Sequence, residues 1–278
     1  MITMTKDSID IDKLVFRASS MGNLMTESRS KTEILGETCK TELCKVYAQA
    51  RAGISPQIES KYLEKGNKRE EIGITYYALK TRQMMTKNET RLKDNVCTGL
   101  PDLFVGDTIE TSMVIPDVKN SWDYISFLKT ITSPIAKDRY WQGQTYMRLT
   151  GATEAHFAVC CINAPIEMVS DEKRRAFFKM GISDDEDESY VKKCIEIERS
   201  MIFDSVEYIK EYPFADCHHE IETVNGVKRF KDFVNIPWNE RIHIMKVERN
   251  QADIDKIEMM APHWRDYIRK TFVDNGDK

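Results

Sequence analysis

The sequence predicts a mixed α/β fold, and three observations carry that expectation. Two runs read as buried strands: Met113-Val114-Ile115 with Val118, and Glu154 through Ile162, rich in apolar and β-branched residues. Residues 138–150 between them read as a helix, and a helix followed by a strand after a hairpin makes a mixed core. Apolar residues at helical spacing recur elsewhere: Leu43, Val46, Tyr47 and Ala50; Ile72, Tyr76 and Leu79; Val191, Ile195, Ile202, Val206 and Ile209. Neither an internal repeat nor a linker interrupts the chain. A single domain over residues 1–278 is expected, with its core at about 14–165 and a helical and hairpin elaboration at 166–278.

Composition narrows the function classes. With 278 residues, the chain is long enough to bury a sizeable core. A hydrophobic fraction of 41% is ordinary for a soluble protein, and no apolar run approaches the roughly 20 residues that span a membrane. The first residues, Met1-Ile2-Thr3-Met4-Thr5-Lys6-Asp7, lack the basic-then-apolar pattern of a signal peptide, so the cytoplasm is the expected location. Seven cysteines occur with no C-x-x-C pair, which argues against a zinc ribbon or an iron–sulfur cluster and for reduced, mostly buried thiols. The net charge of −4 disfavours a protein that coats nucleic acid. It leaves open an acidic site reached through a channel lined by basic residues.

Taken in order, residues 1–13 are polar and read as loosely held. Ser19 or Ser20 is placed to cap a helix beginning at Met21. Hydroxyls at a helix start beside Arg17 also suit a phosphate, although a plain capped helix is the simpler reading. Residues 27–65 read as mostly helical, with a break at Ser55-Pro56. The basic run Lys65, Lys68, Arg69 reads either as a solvated face or as a surface for DNA, on a helix that would carry Glu70 toward the central strands. Residues 81–95 read as a loop or hairpin.

The chain is organised around Gly99-Leu100-Pro101-Asp102 and Ile115-Pro116-Asp117-Val118-Lys119-Asn120, read as two strands joined at Gly106-Asp107. Trp122 through Leu128 begins a short helix. In the helix over 138–150, Gln142 and Tyr146 are four apart and share a face. Residues 183–188 are acidic and read as a surface loop. Glu188 through Tyr212 reads as one long helix stopped by Pro213. Cys217-His218-His219 has zinc-ligand chemistry but no second pair, and reads as loop polarity. Asn225-Gly226 between β-prone runs predicts a hairpin, and a last helix is expected over about 254–272.

The chemistry lies in the central stretch. Asp117 and Lys119 are two apart, so on a strand they share a face, while Val118 points into the core. Asp102, at the start of the preceding strand, folds back toward Asp117. Two carboxylates and an ammonium beside apolar sequence suit a hard divalent cation and an activated water, as phosphodiester hydrolysis requires. Mg²⁺ or Mn²⁺ takes oxygen ligands: Asp102, Asp117, a further carboxylate and the Val118 carbonyl. Lys119 would orient the water or stabilise the transition state.

Four elements in this order resemble a known family: Arg17-Ala18-Ser19; Gly66-x-x-x-Glu70; Gly99-x-Pro101-Asp102 with Asp117-x-Lys119; and Gln142-x-Gln144-x-x-Met147 with Thr150-Gly151. They are similar to the PD-(D/E)xK nucleases, and more narrowly to the YqaJ-type viral recombinases, the family of phage lambda exonuclease. The likeness spans about residues 14–165. It implies a restriction-endonuclease-like core, a mixed central sheet flanked by helices. It also implies that Glu70, Asp102 and Asp117 bind metal and Lys119 assists the water. Glu71 is also available, and the glycine spacing alone selects Glu70. Ser19 and Arg17 would lie near a 5′ phosphate, with Gln142, Gln144 and Tyr146 along the substrate strand. Many relatives carry Glu where this chain has Asp117. The family implies processive 5′→3′ digestion of duplex DNA ends, often by a ring trimer, feeding a single-strand annealing protein. The alternatives are a structure- or site-specific endonuclease on the same core, or an inactive DNA-binding scaffold.

Overall fold

The computed structural model describes residues 9–55 and 60–274. Strand β1 (Phe16–Arg17), a 3-10 turn at Ala18–Ser20 and the short α1 (Met21–Leu24) lead to α2 (Glu37–Ala52) and α3 (Lys61–Thr81). Four short strands follow: β2 (Met85–Lys87), β3 (Leu92–Lys93), β4 (Cys97–Gly99) and β5 (Leu103–Val105). The long β6 (Val114–Asn120) is joined to β7 (Glu154–Cys160) through α4 (Tyr124–Thr132) and α5 (Lys137–Thr150). Helices α6 (Ile166–Met180), α7 (Glu188–Met201) and α8 (Ser205–Glu211) precede the hairpin β8 (Ile221–Val224) and β9 (Val227–Phe230). Strand β10 (Ile242–Glu248) and α9 (Gln251–Ile268) complete the elements that matter here. No helix among the described residues is long and apolar enough to cross a membrane.

The central sheet has the order β10-β7-β6. Strands β6 and β7 are parallel, with Asp117 opposite Phe157 and Lys119 opposite Val159, and β10 runs antiparallel to β7. Parallel neighbours need a crossover, which α4 and α5 supply. On one face Ile115 and Phe157 pack with Tyr146 and Met147 of α5. On the other, Val118, Ala158 and Cys160 pack with Tyr76 and Tyr77 of α3. This is the mixed sheet between helices that the sequence predicts.

One glycine sets how close α3 lies to β6. A Cβ at Gly73 would meet Val118 Cγ1 at 2.5 Å, and a β-branched strand residue has little freedom to yield. Gly73→Ala is expected to destabilise the fold by about 1–3 kcal/mol through overpacking. Urea unfolding checks this as a lowered midpoint at unchanged m; a wild-type midpoint would mean that the helix has room to move.

Several expectations are corrected. Strands β5 and β6 lie side by side but form no hairpin ladder, because β5 pairs with β2. Buried Ser112 bridges them instead, its Oγ accepting from Val105 N at 3.1 Å and donating to Val114 O at 2.7 Å. Neither Ser19 nor Ser20 caps a helix through its side chain; Ser20 Oγ donates to Arg17 O.

The predicted long helix over 188–212 is two helices, broken at Ile202-Phe203-Asp204. Asn163 Oδ1 accepts from Phe203 N at 2.7 Å and Asp204 N at 3.0 Å, Phe203 enters the core beside Phe127, and Asp204 caps α8.

Cys217-His218-His219 is no polar loop. His219 Nδ1 lies 2.6 Å from the fully buried Glu198, whose other oxygen is 2.5 Å from Lys173 Nζ. Burial opposes charge on Glu198, but the His219 and Lys173 hydrogen bonds outweigh it and hold the carboxyl down at about 2. The Asn225-Gly226 turn is present, both residues at positive φ. All seven cysteines are free, five of them buried.

Candidate active site

Three elements converge at the edge of the central sheet. Asp102 stands just before β5, on a loop pinned by Asn88: its backbone N–H donates to the Asp102 carbonyl at 2.9 Å, and its Nδ2 donates to Pro101 O at 2.9 Å. Asp117 and Lys119 extend from β6. Helix α5 supplies Gln142, whose Nε2 reaches Asp117 Oδ1 at 3.4 Å and Tyr146 Oη at 2.9 Å. The Tyr146 hydroxyl in turn donates to Leu100 O at 3.3 Å, beside the Asp102 loop.

Electrostatics at this point are strained by design of the sequence. Asp117 is 2% exposed, and its Oδ2 forms an ion pair with Lys119 Nζ at 2.6 Å. That oxygen nevertheless has no aligned hydrogen-bond donor. Burial disfavours a charged Lys119, but the neighbouring Asp117 more than offsets this, and its pKa is raised. Arg139 of α5 lies close enough to oppose the Lys119 charge. Burial, and then the Asp117 charge within hydrogen-bonding reach, push Asp102 up to about 7.

Glu70 on α3 is half-buried and acts on Asp102 through space. Its neighbour Glu71 is 74% exposed and turned toward Lys87 of β2 at 2.8 Å. Successive helical residues point about 100° apart, and of the two, Glu70 faces the acid pair. Lys87 also lies 3.7 Å from Glu70.

The donors fit a hard divalent cation in kind: carboxylate oxygens, one of them buried without an aligned hydrogen-bond donor, with Asp102 beside it pushed up by burial and by the Asp117 charge. Among the described residues, no three His, Cys, Asp or Glu side chains are gathered closely enough to hold a metal ion. Two carboxylates meet, and the third waits beside a lysine. The Val118 side chain packs in the core against α3, as its alternation with Asp117 and Lys119 predicts.

Next to this point lies a cleft of about 920 Å³, lined by Arg17, Ser19, Ser20, Lys45, Arg91 and Lys93 among others. Arg91 is near enough to influence Tyr146, so the cleft and the acid site adjoin. Arg17, Arg91 and Lys93 carry no ion pair among the described residues. By contrast, Lys40, Lys61, Lys68 and Arg148 are all paired. Sequence reasoning placed Arg17 and Ser19 here but passed over Arg91 and Lys93. The available signal was basic residues on alternate positions just before the central strands.

Two other expectations fail on burial. Gln144 is fully buried, its Nε2 donating to Glu248 O at 2.8 Å and its Oε1 accepting from Asn250 N at 2.9 Å. It joins α5 to the β10–α9 junction and presents nothing to a substrate. Nor is the run Lys65, Lys68, Arg69 one solvated or DNA-facing surface: Lys65 and Arg69 are buried, and of the three only Lys68 is exposed. Lys65 is 1% exposed, and its Nζ donates to Ser121 O and Trp122 O at 2.9 and 2.7 Å. Arg69 is buried against Glu211 and Tyr212, and Lys68 pairs with Glu64 and Glu167.

Fold and site together describe a mixed α/β protein of restriction-endonuclease-like architecture, with paired acids and a lysine at the sheet edge. Known structures share the architecture over nearly the whole chain. A phage-related exonuclease from Haemophilus somnus 129PT superposes with a TM-score of 0.63 at 20% identity, over 93% of this chain and 95% of that one. The alkaline exonuclease LHK-Exo from Laribacter hongkongensis gives 0.54 at 14% identity over 93% of each chain. Its complex with dAMP gives 0.53 at 14% identity, over 94% of this chain and 93% of that one. No family model and no curated protein matches the chain by sequence.

Proposed function

We propose that the chain is a metal-dependent deoxyribonuclease of the PD-(D/E)xK type that digests linear duplex DNA from its ends. The 5′→3′ direction, the 3′ tails handed to a strand-annealing protein, the ring trimer and the single-domain organisation follow the YqaJ-type resemblance and the exonuclease fold. The observation that carries the reading is the pair of buried Asp117 and half-buried Lys119 beside Asp102, next to a cleft in which Arg17, Arg91 and Lys93 have no ion-pair partner among the described residues.

Glu70, Asp102, Asp117 and the Val118 carbonyl would hold Mg²⁺ or Mn²⁺. The bound ion supplies an activated water and offsets charge on the phosphate oxygens. Lys119, kept charged by Asp117, donates to the attacking water or to the oxygen that gains charge as the bond breaks. Gln142 holds the Asp117 carboxylate and Tyr146 together, which fixes the acid on which Lys119 depends. Arg17, Ser19, Arg91 and Lys93 receive the phosphate backbone.

A time course on linear duplex DNA, with and without a 5′ phosphate, in Mg²⁺ and in chelator, tests this directly. Linear duplex is expected to be digested only with Mg²⁺, and a closed circle is expected to survive. Cutting of the circle would favour the endonuclease; tight binding without cleavage in Mg²⁺ would favour the scaffold. Arg91→Glu and Lys93→Glu are each expected to weaken duplex binding about evenly across sequences. Replacing each cation by a neutral residue should lower the slope of log affinity against log salt by about one. Unchanged slopes in fluorescence-anisotropy titrations would remove the cleft from the DNA path.

A further inference from the structure

Lys87 is a cation that reaches the acid site from outside the Asp-x-Lys strand. Its strand β2 pairs with β5 so that Lys87 lies opposite Leu103, next to Asp102. Its side chain is 52% exposed and reaches across to α3, 2.8 Å from Glu71 and 3.7 Å from Glu70. At 2.8 Å the first contact is a charge-assisted hydrogen bond, whereas at 3.7 Å the second is Coulombic only. The ammonium therefore favours Glu71 while still neutralising Glu70.

Resting on the metal-dependent reading above, we infer that Lys87 is an internal counter-ion shared by Glu70 and Glu71, and that Glu71, its closer partner, draws it wholly off Glu70 when a divalent cation arrives. Without a cation, Asp102 and Asp117 repel each other at close range and Glu70 adds to this through space, while Lys119 and Lys87 limit the repulsion. A divalent ion at Glu70 repels the ammonium at short range. Glu71, already hydrogen-bonded to it at 2.8 Å, keeps it as it leaves Glu70. Glu71 lies on the helix turn of Glu70 and faces solvent, so this exchange needs no backbone movement. Glu71 thus acts on metal affinity through Lys87, although it does not face the acid pair itself.

Mn²⁺ titration calorimetry on the full chain without DNA, at low salt, tests the exchange. Lys87→Met is expected to tighten Mn²⁺ about two- to fivefold, the range of an exposed ion pair. Glu71→Gln is expected to loosen it by a similar factor, because Lys87 then rests on Glu70. The decisive arm is the double variant. If Glu71 acts through Lys87, adding Glu71→Gln to Lys87→Met changes nothing. If Glu71→Gln weakens Mn²⁺ equally in both backgrounds, its effect is a distant charge effect and the exchange is overturned. An unchanged affinity in Lys87→Met also overturns it. No Mn²⁺ uptake by the wild-type chain would overturn the nuclease reading itself, which separates the two failures.

Discussion

Lys119→Ala is expected to lower Mg²⁺-dependent cleavage of linear duplex about 10²–10³-fold, the usual cost of removing one donor aimed at developing charge. Duplex binding should change far less, because the unpaired cations of the cleft lie on other elements. The argument rests on position. Lys119 is one alternation from Asp117 on the same strand, and a 2.6 Å ion pair holds its ammonium at the acid pair. Single-turnover cleavage checks the rate, and anisotropy checks the binding. Circular dichroism should report a native spectrum, since the Lys119 side chain is not part of the packed clusters around β6. Full activity in this variant would reject the assigned site.

Asp102→Asn is expected to abolish cleavage and yet stabilise the metal-free protein. Burial and Asp117 raise the Asp102 carboxyl from its ordinary 3.8 to about 7. A raised carboxyl means that the native state keeps a proton which the unfolded chain releases. Over roughly pH 4 to 7 the native state binds more protons, so stability in chelator falls as pH rises through that window. The amide has no proton to lose. Above pH 7 it should therefore add about 1–2 kcal/mol, seen as a rise of about 2–6 °C in Tm. Added Mg²⁺ should raise the wild-type Tm by linkage and leave the variant unmoved. A variant less stable than wild type in chelator at pH 8 would show that Asp102 is not held under repulsion.

Side-chain placement along the central strand was more legible than its surroundings, and the reasons are physical. Alternation along a strand is a local rule, so Asp117, Val118 and Lys119 took their expected faces. Helix phase is local as well, and it turns Glu70 rather than Glu71 inward. What failed depended on partners distant in the chain. Nothing near Gln144 says that Glu248 and Asn250 will occupy both ends of its amide. Nothing near Lys65 announces the carbonyls of Ser121 and Trp122. The break at Phe203 is imposed by Asn163, some forty residues earlier, and Glu198 draws His219, expected as loop polarity, into a buried network with Lys173. The strand pairing of β5 was lost for the same reason: β2 competes with β6 for its edge.

The partnership between the chain's early and late segments has a consequence for biosynthesis. Phe16, beside the cleft residue Arg17, stacks edge-on against Trp264 at 4.8 Å, and Arg265 donates to Leu14 O across 251 positions of sequence. A nascent polypeptide that has not yet emitted α9 lacks the wall on which β1 rests. The basic groove thus matures only after translation has passed residue 265, and incomplete products are born without it.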